Sequence, residues 1–153
     1  MNPDFRDILS EFSAAEVRFL LVGAYAMATL GLARSTGDID LWVRCDEMNA
    51  RRIMTALGRF GAPLTDMSTS DFASPGLVFQ IGVAPNRIDV LTSIDGVEFD
   101  DAWPGRSEAT VEGVRVPVIG REHLLRNKRA TGRPKDRNDA DWLQSEGRTD
   151  EAI

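Results

Sequence analysis

Three aspartates stand where carboxylates can act together. Asp38 and Asp40 fall two apart in Asp38-Ile39-Asp40-Leu41-Trp42-Val43, whose polar and apolar residues alternate as in a strand. Side chains two apart on a strand share a face, and at a rise of about 3.3 Å per residue their Cα atoms lie ~6.5 Å apart. Carboxylates at that spacing can share divalent cations, which stand about 3.5–4 Å apart in two-metal phosphoryl-transfer sites. Ile39, Leu41 and Val43 take the opposite face and anchor the strand, a rigid support for ligands. An isolated Asp-x-Asp is ordinarily a solvated strand face. Two features point past that here. Aspartate is a poor strand former, so a pair of them needs compensation. A third, Asp89, interrupts the apolar run Arg87-Ile88-Asp89-Val90-Leu91 and completes a carboxylate cluster if the two strands are neighbours.

The rest of the composition narrows the metal. Cys45 is the only cysteine and His123 the only histidine, so neither a disulfide nor a thiolate or imidazole zinc cluster can form within the chain. Carboxylate oxygens suit Mg2+ or Mn2+. Cys45 has no histidine near it in sequence and reads as inert, in keeping with a reducing compartment. Gly23 follows an apolar run and precedes a short stretch of helix formers. Such a turn lets backbone N–H groups meet a phosphate, although a lone glycine more often just relieves a tight turn.

At 153 residues, 42% of them apolar, the chain fits one domain with a real core, expected over residues 1–146, with 147–153 a polar tail. Its net charge of -6 argues against binding duplex DNA across the whole surface. A local basic site remains open near the C-terminus, where Arg121, Arg126, Lys128, Arg129, Arg133, Lys135 and Arg137 cluster. They form either a solvated helix face with local pairs, such as Arg133 with Asp136, or a surface for a polyanionic partner such as RNA. The N-terminus lacks a signal-peptide pattern, and the apolar stretch over 19–32 is broken by Gly23 and Gly31 and too short for a bilayer. The expectation is a cytoplasmic protein with no membrane partner.

The elements that must position these residues follow from periodicity and punctuation. Asn2 and Pro3 open a helix over 3–14 that buries Phe5, Ile8, Leu9 and Phe12. Residues 17–22 suit a buried strand, 24–30 a short helix ended by Gly31, and 38–43 the acidic strand. Asp46 caps a helix to about Phe60 with Met48, Ile53, Met54 and Leu57 inward, and Gly61 and Pro63 end it. Residues 65–76 read as a loop or marginal edge. Strands over 77–83 and 87–91 join through Ala84-Pro85-Asn86, and a second hairpin turns at Glu112-Gly113 within 110–118. Helices follow over 121–131 and from a cap at Asp136 to about Ser145. Trp42 and Trp103 read as core or rim packing, and Trp142 with Leu143 as the dock of the last helix. The fold class is α/β (α+β), a mixed sheet flanked by helices.

The stretch Leu20-Leu21-Val22-Gly23-Ala24-Tyr25-Ala26, then Gly31, Arg34 and Thr36, then Asp38 to Val43, resembles the core signature of the nucleotidyltransferase superfamily. It is most similar to the small bacterial branch related to AbiEii-type toxins and minimal nucleotidyltransferases. Leu124-Leu125-Arg126-Asn127-Lys128 and Gly132 to Asp139 continue the likeness more loosely. The resemblance implies a polymerase-beta-like fold and Mg2+-assisted transfer of a nucleoside monophosphate from a nucleoside triphosphate to an acceptor (RNA, a protein or a small molecule). It makes Asp38, Asp40 and Asp89 the catalytic and metal-holding residues, and Gly23, Ala24, Arg34, Thr36 and Lys128 the nucleotide contacts, ATP being one candidate. A toxin–antitoxin role with an antitoxin or other helical partner is the further implication. The family turn usually reads Gly-Ser or Gly-Gly; Gly23-Ala24 keeps the backbone donors and lacks the hydroxyl. The alternative is a binding module or antitoxin-like partner that kept the fold without the chemistry.

Overall fold

The computed structural model describes residues 2–32 and 37–151, the side chains of 147–151 excepted. The Asn2 side chain accepts from the Asp4 and Phe5 N–H groups and starts α1 (Pro3–Ala14), which buries the expected stripe of Phe5, Ile8, Leu9 and Phe12. β1 (Phe19–Val22) is buried along its length and passes directly into α2 (Gly23–Thr29). β2 (Ile39–Val43) carries Asp40, with Asp38 just before it. Asp46 accepts from the Asn49 N–H and caps α3 (Glu47–Phe60), which ends on Gly61 in the left-handed region.

The chain then makes a short helix, α4 (Thr69–Phe72), where a loop or marginal edge was expected. A capping box between Ser68 and Asp71 nucleates it, and Phe72 is fully buried. β3 (Val78–Ile81) and β4 (Ile88–Leu91) form the expected hairpin. Another short helix, α5 (Phe99–Ala102), leads into a 3-10 turn over Trp103–Gly105; neither was foreseen, because four residues show no period. β5 (Ser107–Val111) and β6 (Val114–Val118) turn through Glu112 and Gly113, both at positive φ, as a two-residue hairpin demands. α6 (Arg121–Thr131) and α7 (Pro134–Glu151) close the fold. α7 starts on Pro134, a natural first helical residue, so Asp136 lies in its first turn instead of capping it, and its backbone passes the expected end at Ser145.

Among the described residues, six strands form one mixed sheet in the order β3-β4-β2-β1-β6-β5. β1 runs antiparallel to β2, and β2 runs parallel to β4. α1 and α3 pack together beside the sheet, and the Phe12 and Phe19 rings meet edge to face 5.3 Å apart. Ile39, Leu41 and Val43 are fully buried, as the alternation required. Trp42 is buried too, edge-on to Phe99, which stacks on Trp103. Leu143 is likewise buried, with Trp142 packed against the core. Met48 is a correction: it is 65% exposed, because the α3 stripe runs through Ala50, Ile53, Ala56 and Leu57 and passes it by.

Asn49 ties α3 to the strands that carry the acidic residues. Its Oδ1 accepts from the Arg18 N–H at 2.8 Å, and its Nδ2 donates to the carbonyls of Arg18 and Arg44 at 3.0 and 2.7 Å. These contacts clamp the start of β1 to the end of β2. Asn49→Ala takes the Asn49 partner from the Arg18 N–H and the Arg44 carbonyl, while the Arg18 carbonyl keeps the Arg44 N–H at 3.1 Å, and should destabilise the fold by about 2–3 kcal/mol. Urea unfolding reads this as a lower midpoint at unchanged slope, whereas a midpoint equal to wild type would mean the clamp is dispensable.

Candidate active site

The sheet register places the acidic residues. Asp40 on β2 and Asp89 on β4 are direct partners across a parallel pair, so their side chains leave the same face side by side. Asp38 lies two residues before Asp40, at the same end of the sheet. Gly37 brings this end against the β3–β4 turn: a Cβ there would collide with the Pro85 carbonyl. On the other flank Asp40 pairs with Val22, the residue before Gly23. Gly23 has φ +72°, and a Cβ on it would run into the Asp40 carboxylate. The turn and the acidic strand therefore touch, and only glycine permits it.

A cleft of about 620 Å³ opens over this end of the sheet. Gly23, Ala24, Asp38, Asp40, Asp89 and Lys128 all line it, so these expected site residues come together. Arg34 and Thr36 lie outside the described residues. The basic C-terminal cluster divides: Lys128, Arg133 and Lys135 face the cleft, while Arg126 pairs with Glu122 and Arg129 with Gln144. Val22, Val78, Leu91 and Ile94 give the cleft an apolar side.

Two features of the site were not read from the sequence. The first is Arg87. Its Nε and Nη2 donate to the two oxygens of Asp89 at 2.8 and 3.2 Å, and Nη2 also stands 3.5 Å from Asp38 Oδ2. Its backbone N–H donates to Asp38 Oδ1 at 3.0 Å. The period of two that placed Asp38 with Asp40 also places Arg87 with Asp89, and that was the available signal. The second is the surroundings of Lys128. Its ammonium is held between Asp136 Oδ1 at 3.1 Å and Asp139 Oδ2 at 3.2 Å, with only 9% of the side chain exposed. Burial raises the Asp136 carboxyl, but the Thr131 hydroxyl, Lys128 and Arg133 outweigh it and hold the group below its ordinary range.

Asp40 is the electrostatic outlier. Burial, the charge of Asp89, a hydrogen bond shared with Asp89 and the charge of Asp38 push its carboxyl up to about 7, and Arg87 only partly offsets them. Among the described residues no three acidic, histidine or cysteine side chains converge as a ready-made metal cage. The donor chemistry nonetheless fits a hard cation: adjacent carboxylates, one of them prone to keep its proton for want of positive charge.

No family model matches the chain, and no curated protein matches it. Among solved structures it is similar to a proposed nucleotidyltransferase from Thermotoga maritima, with a TM-score of 0.60, 18% identity, and coverage of 92% of this chain and 91% of that one. It is also similar to the lincosamide antibiotic adenylyltransferase LnuA in a lincomycin-bound structure, with a TM-score of 0.58, 17% identity, and coverage of 95% and 97%. The chain has the nucleotidyltransferase fold. The α/β class expected from the sequence is thereby borne out, and the acidic residues of β2 and β4 sit at one end of a nucleotidyltransferase-type sheet. No described helix is long and apolar enough to cross a membrane.

The raised carboxyl sets a pH dependence. Folded Asp40 keeps its proton to about 7, whereas the unfolded group loses it near 4, so between these values the folded chain binds more protons. Stability contributed by this group therefore falls as pH rises from about 4 to about 7. Asp40→Asn removes that slope and should gain about 1–3 kcal/mol on wild type over the window. Paired urea titrations at pH 5 and 8 measure the difference; parallel profiles would refute the charge crowding.

Proposed function

We propose that this chain transfers a nucleoside monophosphate from a nucleoside triphosphate to an acceptor, with a divalent cation held by Asp38, Asp40 and Asp89. The observation that carries the reading is the direct cross-strand pairing of Asp40 with Asp89 in a cleft that also presents the Gly23-Ala24 turn and three basic side chains. The fold shared with an adenylyltransferase supports it. Mg2+ or Mn2+ would supply neutralisation of the triphosphate and of the departing pyrophosphate.

The protein's own groups do the positioning. The backbone N–H groups of Gly23 and Ala24 meet phosphate oxygens, and Ala24 adds no hydroxyl to them. Arg133 and Lys135 reach the triphosphate from the rim. Lys128, fixed by Asp136 and Asp139, presents an ordered ammonium on the same wall. The acceptor hydroxyl oxygen attacks the α-phosphorus, the bond from that phosphorus to the bridging oxygen breaks so that this oxygen leaves with pyrophosphate, and Asp89, released from Arg87, takes the hydroxyl proton. The apolar side of the cleft, from Val78 to Ile94, suits the non-phosphate part of a substrate. A small-molecule acceptor has a precedent in the fold, since LnuA is named for a lincosamide antibiotic. RNA and protein acceptors belong to the same reading. The likeness to AbiEii-type sequences adds a toxin-type role with an antitoxin partner, and it rests on that likeness.

Calorimetric titration with ATP and the other nucleoside triphosphates, with and without Mg2+, tests the proposal. Wild type should bind at least one of them in a Mg2+-dependent manner, and an Asp38→Asn/Asp40→Asn variant that still folds should lose at least tenfold in affinity, roughly the contribution of one charge-assisted contact. No binding of any triphosphate by folded wild type would overturn the enzymatic reading and favour a module that kept only the fold.

A further inference from the structure

Arg87 supplies positive charge to the acidic residues that would hold a cation. Both oxygens of Asp89 are engaged by its guanidinium, at 2.8 and 3.2 Å, and Asp38 is drawn to it as well, at 3.5 Å. A guanidinium fork takes one lone pair on each Asp89 oxygen and already supplies positive charge there, so a second cation at Asp89 meets both a reduced set of lone pairs and the repulsion of Arg87.

The backbone and the side chain of Arg87 are held very differently. The carbonyl of Arg87 accepts from the Ile39 N–H at 3.0 Å, and its N–H donates to Asp38, so the main chain is pinned into the β2–β4 pair. The guanidinium arm is 30% exposed, against 9% for the Asp89 side chain, and it borders the open cleft. Rotation about its side-chain bonds frees Asp89 without disturbing a strand.

We propose that Arg87 is an internal counter-ion that competes with the divalent cation for Asp38 and Asp89 and is released onto the triphosphate when metal and nucleotide enter together. The inference rests on the metal-assisted reading above. A phosphate offers a guanidinium the same two-pronged acceptor geometry as a carboxylate, so the arm exchanges one anionic partner for another. Metal alone gives it no new partner. Cation binding is therefore weak without nucleotide and strong with it, which protects the site from loading metal unproductively. By linkage the coupling is reciprocal: metal tightens nucleotide by the same factor as nucleotide tightens metal.

The test is Mn2+ titration followed by electron paramagnetic resonance, which reads free Mn2+ directly, on wild type, Arg87→Gln and Arg87→Lys. Circular dichroism confirms that each variant folds. Each protein is titrated alone and then with a non-hydrolysable ATP analogue. Arg87→Gln should bind Mn2+ alone about tenfold more tightly than wild type, the size of one released charge-assisted contact, and should lose most of the gain from the analogue. Arg87→Lys keeps the charge without the fork and should fall between them. Equal or weaker Mn2+ binding by Arg87→Gln, with wild type still binding Mn2+ and the analogue together, would overturn the counter-ion role and leave the proposed function standing. Failure of wild type to bind Mn2+ with any nucleoside triphosphate would bring down both.

Discussion

Like charges crowded at one end of a sheet are the constraint on which the site depends. Asp40 and Asp89 are cross-strand partners, partly or wholly shielded from water, with Asp38 beside them. Two carboxylates so placed cannot both be ionised cheaply, and the strain appears as a proton held by Asp40 up to about 7. A chain keeps such an arrangement folded only if the surroundings are over-determined. The buried face of β2, the Asn49 clamp and the close seat of Gly37 on Pro85 supply that determination. The arrangement stores an unmet demand for positive charge, which Arg87 meets in part.

The same end of the sheet explains why the two walls of the cleft differ. On one side the backbone approaches closely, since Gly23 sits against the Asp40 carboxylate and a Cβ there would force that carboxylate to shift. On the other, α6 and α7 form a helical hairpin whose buried Lys128–Asp136–Asp139 cluster fixes a cation in place. Buried ion pairs of this kind add little net stability but impose a single geometry, and breaking one by removing a partner is costly. A rigid ammonium near a phosphate path costs less to organise than a mobile one. The Arg87 side chain, 30% exposed, borders the cleft between these two walls.

Much of this could be read from the sequence, for identifiable reasons. The α1 stripe and its Asn2-Pro3 start, the Asp46 cap, both hairpins and the strand bearing Asp40 follow from local periods and turn chemistry. The pairing of Asp89 with Asp40 was only conditional on neighbouring strands, because strand order is a tertiary fact; the sheet order meets the condition. Arg87 was legible by the period of two and escaped because the acidic residues alone were followed. The partners of Lys128 lie eight and eleven residues away, across a helix boundary, where no local pattern links them. Met48 misled because hydrophobicity was weighed without its angular place on α3. The four-residue helices α4 and α5 are too short for any period to show.

Magnetic resonance of the aspartate side-chain carboxyls puts the central claim to its most direct measurement. Mn2+ added with a non-hydrolysable ATP analogue should broaden the signals of Asp38, Asp40 and Asp89 first. Those of Asp46 and Asp100, which pair with Arg44 beyond the far end of β2, should stay sharp. That pattern places the cation on the acidic cluster. Broadening spread evenly over the aspartates, or centred on the Asp46 and Asp100 group, would contradict the account.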